Sequence, residues 1–185
     1  MSIALAKWTV DDYHRMTAAG ILEGRPVEFL NGEIVTTAPE GPEHAFLGDE
    51  GGDYLSQLLG ARAKVRQGRP ITLADASEPE PDLSVVKPLG NVYRNRHPYP
   101  EDIFLVIELS NTSLAKDLEP KRRIYAVAKI PEYWVIDLKT QTLIIFKQPQ
   151  QGDYQTRQDL TAGSIQLSAF PDVTVSISRL LMQLD

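Results

Sequence analysis

The run FLVIELSNTSL (Phe104 to Leu114) reads as the inside of a buried strand, and it carries one carboxylate, Glu108. An ionised carboxylate in such a strand is costly unless it is paired, hydrogen-bonded or bound to a metal. Asp82 stands directly after Pro81, at the start of the preceding apolar strand Leu83 to Val86. If these two strands pair, Asp82 and Glu108 converge at one sheet edge. Two hard oxygen ligands suit Mg²⁺ or Mn²⁺, with water and phosphate in the remaining positions, and the chemistry would be phosphoryl hydrolysis. Such a reaction also wants a cation near the phosphate. Two residues beyond Glu108 stands Ser110, a secondary hydrogen-bonding group, and not a lysine. Lys121, Ile124, Tyr125 and Ala128 recur at the spacing of one helix face, so Lys121 belongs to the stripe that packs on the sheet. Its flexible stem could bring the ammonium to the two carboxylates.

Each of these residues has a structural reading as well. Asp82 after proline can cap a loop. Glu108 can form a buried ion pair with Lys121 or Arg122 and no metal. Lys121 sits in KRR, and short basic runs on helices are usually solvated. Glu28, beside the turn in VEFLNGE, is placed to supply an accessory acid. His44 heads an apolar helical stripe, where a packed histidine competes with a general base. Tyr125 and Trp134 read as core aromatics, and Gln67 and Arg69 as strand-edge polar residues that could also orient a phosphate. Tyr93, Arg94, Arg96 and His97 mix aromatic with basic character in one loop, as a nucleic-acid contact would.

The elements that must position these residues can be read from punctuation and periodicity. Thr9 followed by Val10, Asp11 and Asp12 is an N-cap signal for a helix running towards Gly20. PVEFLNGEIV predicts a hairpin around Asn31-Gly32. Glu43 to Leu59 has near-helical apolar spacing despite Gly48, Gly51 and Gly52. AKVRQGRPITL predicts two short strands or one kinked strand, Leu83 to Val86 another, and KPLGNVYRNRHPYPED an irregular loop. The unbroken FLVIELS predicts a strand covered on both faces. Asp117 is expected to cap a helix through Ala128, with Pro120 in its first turn. YWVID and TLIIFK predict strands, trailed by Tyr154 to Leu160, and TVSISRLLMQ a terminal helix. The order implies an α/β or α+β architecture, a mixed sheet with helices packed on it.

With 185 residues and 42% hydrophobic content, the expectation is one domain, residues 1–185, with a substantial core. The net charge of −6 excludes a chain-wide attraction to phosphate backbones, so nucleic-acid binding must be local. Arg62, Lys64, Arg66, Arg69, Arg94 and Arg96 could supply it on one face. The absence of cysteine excludes disulfides, thiolate nucleophiles and zinc–sulfur sites. MSIALAKWTVDDYHRM holds no apolar run of signal-peptide length, and no stretch is long and apolar enough to span a bilayer. A soluble, cytoplasmic protein with no membrane association is expected.

Several phrases together carry a resemblance: Pro81-Asp82, Glu108-x-Ser110, then Asp117, Lys121 and Tyr125, then IPEYWVID at Ile130 to Asp137. With VEFLNGEIV, RQGRPITL and HPYPEDIFLVIELSNTSL they resemble the Uma-two family of bacterial endonucleases, over nearly the whole chain. The resemblance implies a restriction-endonuclease-like fold of the PD-(D/E)xK superfamily and a metal-dependent phosphodiesterase site. By it, Asp82 and Glu108 correspond to the metal-binding acids, and Lys121 looks like a relocated version of the lysine expected at Ser110. Asn111 stands where members commonly carry Asp.

Two functions follow as expectations. One is a Mg²⁺- or Mn²⁺-dependent endonuclease hydrolysing DNA, with Asp82, Glu108, Lys121 and Ser110 as its centre, Glu28, His44, Gln67, Asp117 and Tyr125 as accessory residues, and a homodimer to cut both strands. The other is a catalytically inactive module that binds nucleic acid or a partner protein and keeps the acid–lysine cluster as an ion-pair network.

Overall fold

A computed structural model describes residues 5–73 and 76–182. Thr9 and Asp12 cap one another reciprocally and start α1 (Val10–Ala18), in which no residue is buried. What fixes this helix is stacking of Tyr13 on Phe29, with ring centroids 5.0 Å apart, and contact of His14 with Glu78 at 2.8 Å. β1 (Val27–Leu30) and β2 (Glu33–Thr36) form the hairpin expected at Asn31-Gly32. Both turn residues take positive φ, 51° and 76°, which asparagine and glycine tolerate best.

Six strands make the central sheet: β3 (Lys64–Gln67), β4 (Leu83–Val86), β5 (Ile103–Ser110), β6 (Glu132–Asp137), β7 (Thr142–Gln150) and β8 (Asp153–Leu160), in that spatial order. Only β5 and β6 run parallel, because a helical crossover joins them; the other neighbours are antiparallel. α2 (Pro42–Leu59) covers one face, packing Leu47, Leu55 and Leu59 on Leu83, Leu105, Ile107, Leu109 and Trp134. The opposite face carries Val106, Tyr133, Val135 and Phe146 under Tyr125 and Ala126. Both faces of β5 and β6 are therefore dry, which is what the continuous apolar runs anticipated.

Strand parity then decides the chemistry. Leu105, Ile107 and Leu109 point to α2, so Val106, Glu108 and Ser110 point to the crossover.

Two expectations about helices are corrected. Asp117 does not cap the crossover: the helical run starts earlier, as α3 (Leu114–Lys116), passes through a π-helical turn at Asp117–Lys121, and continues as α4 (Arg122–Val127). Asp117 is buried inside it. Pro120 has no N–H to give the regular ladder, and the wide turn accommodates it. TVSISRLLMQ is not one helix either. Its first part belongs to β10 (Phe170–Ser176), paired with β9 (Ser164–Leu167); among its described residues only α5 (Ile177–Leu180) is helical, and Gln183 lies outside them. Val173, Val175 and Ile177 alternate into the core beneath α2, a strand period that the run itself displays. The loop between β4 and β5 contains two 3₁₀ turns, Gly90–Arg94 and Pro100–Asp102.

That loop is anchored by buried Asp102, which accepts from Arg96 Nη1 at 2.6 Å and from the Tyr99 N–H at 3.0 Å. Burial pushes the Asp102 carboxyl up, but these donors outweigh it and hold the group below the usual carboxylate range. A carboxyl lowered on folding stabilises above its unfolded-state value, and the stabilisation is lost as pH falls through its folded-state value. Arg96→Ala should therefore lower the melting temperature at neutral pH, with the two proteins converging in acid. Thermal melts across a pH series check this.

Candidate functional site

A cleft of about 480 Å³ opens where β4 begins and β5 ends beside the crossover, and Glu28, His44, Asp82, Glu108, Asp117 and Lys121 all line it. Antiparallel pairing puts Leu83 opposite Ile107, so Asp82 arrives beside the end of β5. Its Oδ2 accepts the Leu109 N–H at 2.6 Å and lies 3.2 Å from His44 Nε2. Hydrogen bonding to the Asp82 carboxylate makes the half-buried imidazole more basic than usual. His44 thus does more than pack in an apolar stripe: it holds one of the acids.

Glu108 is 3% exposed. Its Oε1 accepts from Lys121 Nζ at 2.9 Å and from the Tyr125 hydroxyl at 2.6 Å. Lys121, itself 2% exposed, also lies 3.2 Å from Glu28 Oε2. The ammonium reaches Glu108 and Glu28, in place of the expected pair Glu108 and Asp82. Burial pushes the Glu108 carboxyl up to about 8, against the pull of Lys121. Burial would lower Lys121, but Glu108, Glu28 and Asp117 together reverse this and hold it cationic. Burial, followed by the Glu108 charge, raises the Tyr125 phenol far above its usual value, so that it serves as a donor.

Ser110 Oγ donates to Asp117 Oδ2 at 2.7 Å, and the Tyr133 hydroxyl donates to the Asp117 carbonyl at 3.0 Å. Gln67 is not among the residues around Glu108. It lies in a second lobe of the cleft, of about 290 Å³, that adjoins the first at Asp82 and His44.

Three residues of the cleft escaped the sequence reading. Lys116 lies 3.6 Å from Glu28 because the π turn stacks residues five apart, and nothing in the sequence except Pro120 hints at that turn. Glu80, pushed up by burial and by Glu28, lies two residues before Asp82 in EPEPD, a spacing that could have identified it. Glu40 lies 3.7 Å from His44 Nδ1, one helical turn away.

The donor set suits a hard divalent cation. Each acid spends one oxygen on protein donors, while Asp82 Oδ1 and Glu108 Oε2 take no hydrogen bond from any described residue. Asp117 Oδ1 is likewise buried without a donor. Among the described residues, Glu40, His44 and Asp82 are the group of three or more whose ligand atoms lie within 4.8 Å of one another, close enough to share an ion. No helix among the described residues is long and apolar enough to cross a membrane.

Comparisons with known proteins bear on the fold and the family. No curated protein matches the chain. A solved structure described as a "putative nuclease belonging to DUF820 from Anabaena variabilis" superposes with a TM-score of 0.70 at 18% identity, covering 94% of this chain and 97% of that one. At that identity the likeness establishes a shared fold. The profile of the Uma2 family, described as "Putative restriction endonuclease", matches residues 10–178 and so takes in every cleft residue above; the chain belongs to that family.

Proposed function

We propose that the chain is a metal-dependent endonuclease that hydrolyses phosphodiester bonds of DNA, acting as a single restriction-endonuclease-like domain that pairs as a homodimer. The observation that carries this reading is the pair of free carboxylate oxygens, Asp82 Oδ1 and Glu108 Oε2, on two acids brought together by the β4–β5 register. Family membership and the nuclease named above support it. Asp82 and Glu108 would hold Mg²⁺ or Mn²⁺, which would supply a Lewis-acidic centre to activate water and neutralise phosphate charge. His44 and the Leu109 N–H fix the Asp82 carboxylate; Tyr125 and Lys121 fix that of Glu108. Lys121 also places a permanent positive charge where negative charge develops on the phosphoryl group. Ser110 and Asp117 brace the end of β5 against the crossover.

One observation favours the second reading, a module without catalysis: Lys121 is already held against Glu108 and Glu28, as in a purely structural network. Incubation of the protein with supercoiled plasmid in Mg²⁺ or Mn²⁺ separates the two. Nicking that EDTA abolishes and that Asp82→Ala lacks is expected. Intact plasmid under every metal, alongside unimpaired DNA binding, would favour the inactive module.

A further inference from the structure

Extending that nuclease reading, we infer that Gln67 and Arg69 form a phosphate subsite that holds the substrate strand in the second lobe of the cleft, on the β3 side of Asp82. The cleft is acidic, so a polyanion needs an uncommitted cation to enter it. Of the cations that line the two lobes, Lys116 and Lys121 are each paired with Glu28. Arg69 makes no ion pair at contact distance among the described residues, although Glu80 is near enough to feel its charge; its one hydrogen bond runs from Nη1 to the Gly68 carbonyl at 3.1 Å, leaving the other guanidinium donors for a ligand. Arg62 and Arg96, which the sequence had grouped with it, are committed to Asp172 and Asp102.

The position is fixed by the backbone. Gly68 donates its N–H to the Asp82 carbonyl at 2.9 Å, so the Gln67-Gly68-Arg69 segment abuts the metal-binding acid directly. The Gln67 side chain lies against α2 where residue 52 is glycine, and a methyl group there would overlap the Gln67 amide. That amide has no hydrogen-bond partner among the described residues, and both Gln67 and Arg69 are exposed. A strand running from Lys121 across Asp82 would meet a neutral amide and then a planar, charged fork suited to phosphate oxygens.

The test measures binding of a short fluorescent DNA duplex by anisotropy in Ca²⁺ across a salt series. Arg69→Ala should weaken binding about tenfold and reduce the slope of log affinity against log salt by about one. Arg69→Lys should restore most of the slope and less of the affinity. Gly52→Ala, which crowds Gln67 off its seat, should weaken binding with the salt slope unchanged. In cleavage, Arg69→Ala should raise KM and leave kcat close to that of the wild type. Arg157→Ala, whose guanidinium is paired with Asp159, is the control and should change neither. Wild-type binding that Arg69→Ala leaves intact, at every salt concentration, would overturn the subsite and spare the nuclease reading. Absence of any wild-type binding to duplex or single-stranded DNA would overturn both.

Discussion

Replacing Lys121 by methionine should cost about 3–5 kcal/mol of folding stability at mildly alkaline pH, because it leaves carboxylates buried without their counter-charge. Methionine fills much the same space, so the loss reports charge and not a cavity. Lys121 is 2% exposed, with Glu108 Oε1 at 2.9 Å and Glu28 Oε2 at 3.2 Å, and Glu28 and Glu108 are themselves 4% and 3% exposed. No other described cation is positioned to serve both acids, since Lys116 reaches only Glu28 and from 3.6 Å. The loss should shrink at lower pH, where buried carboxyls can take protons and escape the unpaired state. A Glu28→Gln partner mutation should recover part of it, giving a coupling energy of about 1–3 kcal/mol in a double-mutant cycle. Urea melts of the four proteins at two pH values check the whole set. A loss under about 1 kcal/mol, independent of pH, would mean that the acids are neutral in the folded chain and that Lys121 is a bystander.

How far this cluster could be foreseen depends on which physical signal each residue carried. Glu108 announced itself, because an acid inside FLVIEL has no cheap structural role. The helical phase of Lys121, Ile124, Tyr125 and Ala128 correctly placed the ammonium and the phenol on the buried face, since side-chain direction follows from backbone period alone. Glu28 could be marked as an accessory acid, but its pairing with Lys121 did not follow. Glu28 comes from a hairpin outside the main sheet, and its approach to Lys121 is a tertiary fact with no local trace. The π turn was hidden for the related reason that one extra residue per turn leaves the composition of a helix unchanged; only Pro120 marks it. The β10 error was different in kind. Thr174, Ser176 and the alternating Val173, Val175 and Ile177 spelled a strand, and the helix-like Arg179-Leu180-Leu181 that follows dominated the reading.

Mg²⁺ or Mn²⁺ titrated into the wild-type protein should bind saturably, and Asp82→Ala or Glu108→Ala should weaken that binding by more than about a hundredfold. Removing an outer-shell partner typically costs about 10–100-fold, so His44→Ala and Tyr125→Phe, which only hold the two acids, should fall in that lower range. The pH dependence has a definite sign. Burial pushes the Glu108 carboxyl up to about 8, so below that pH the free protein holds a proton that ligation must expel. Affinity should climb by up to about tenfold per pH unit towards 8 and then level off, with about one proton released per ion bound below that point. The same raised value means that the folded chain holds this proton more tightly than the unfolded chain does. Metal-free stability should accordingly fall as pH rises from the ordinary carboxylate range to about 8, and saturating metal should offset that fall. Calorimetry in buffers of different ionisation enthalpy counts the protons. Binding with no proton release and no pH dependence would place the ion away from Glu108, with the Glu40, His44 and Asp82 group as its seat, and Glu40→Ala would then be the variant that abolishes it.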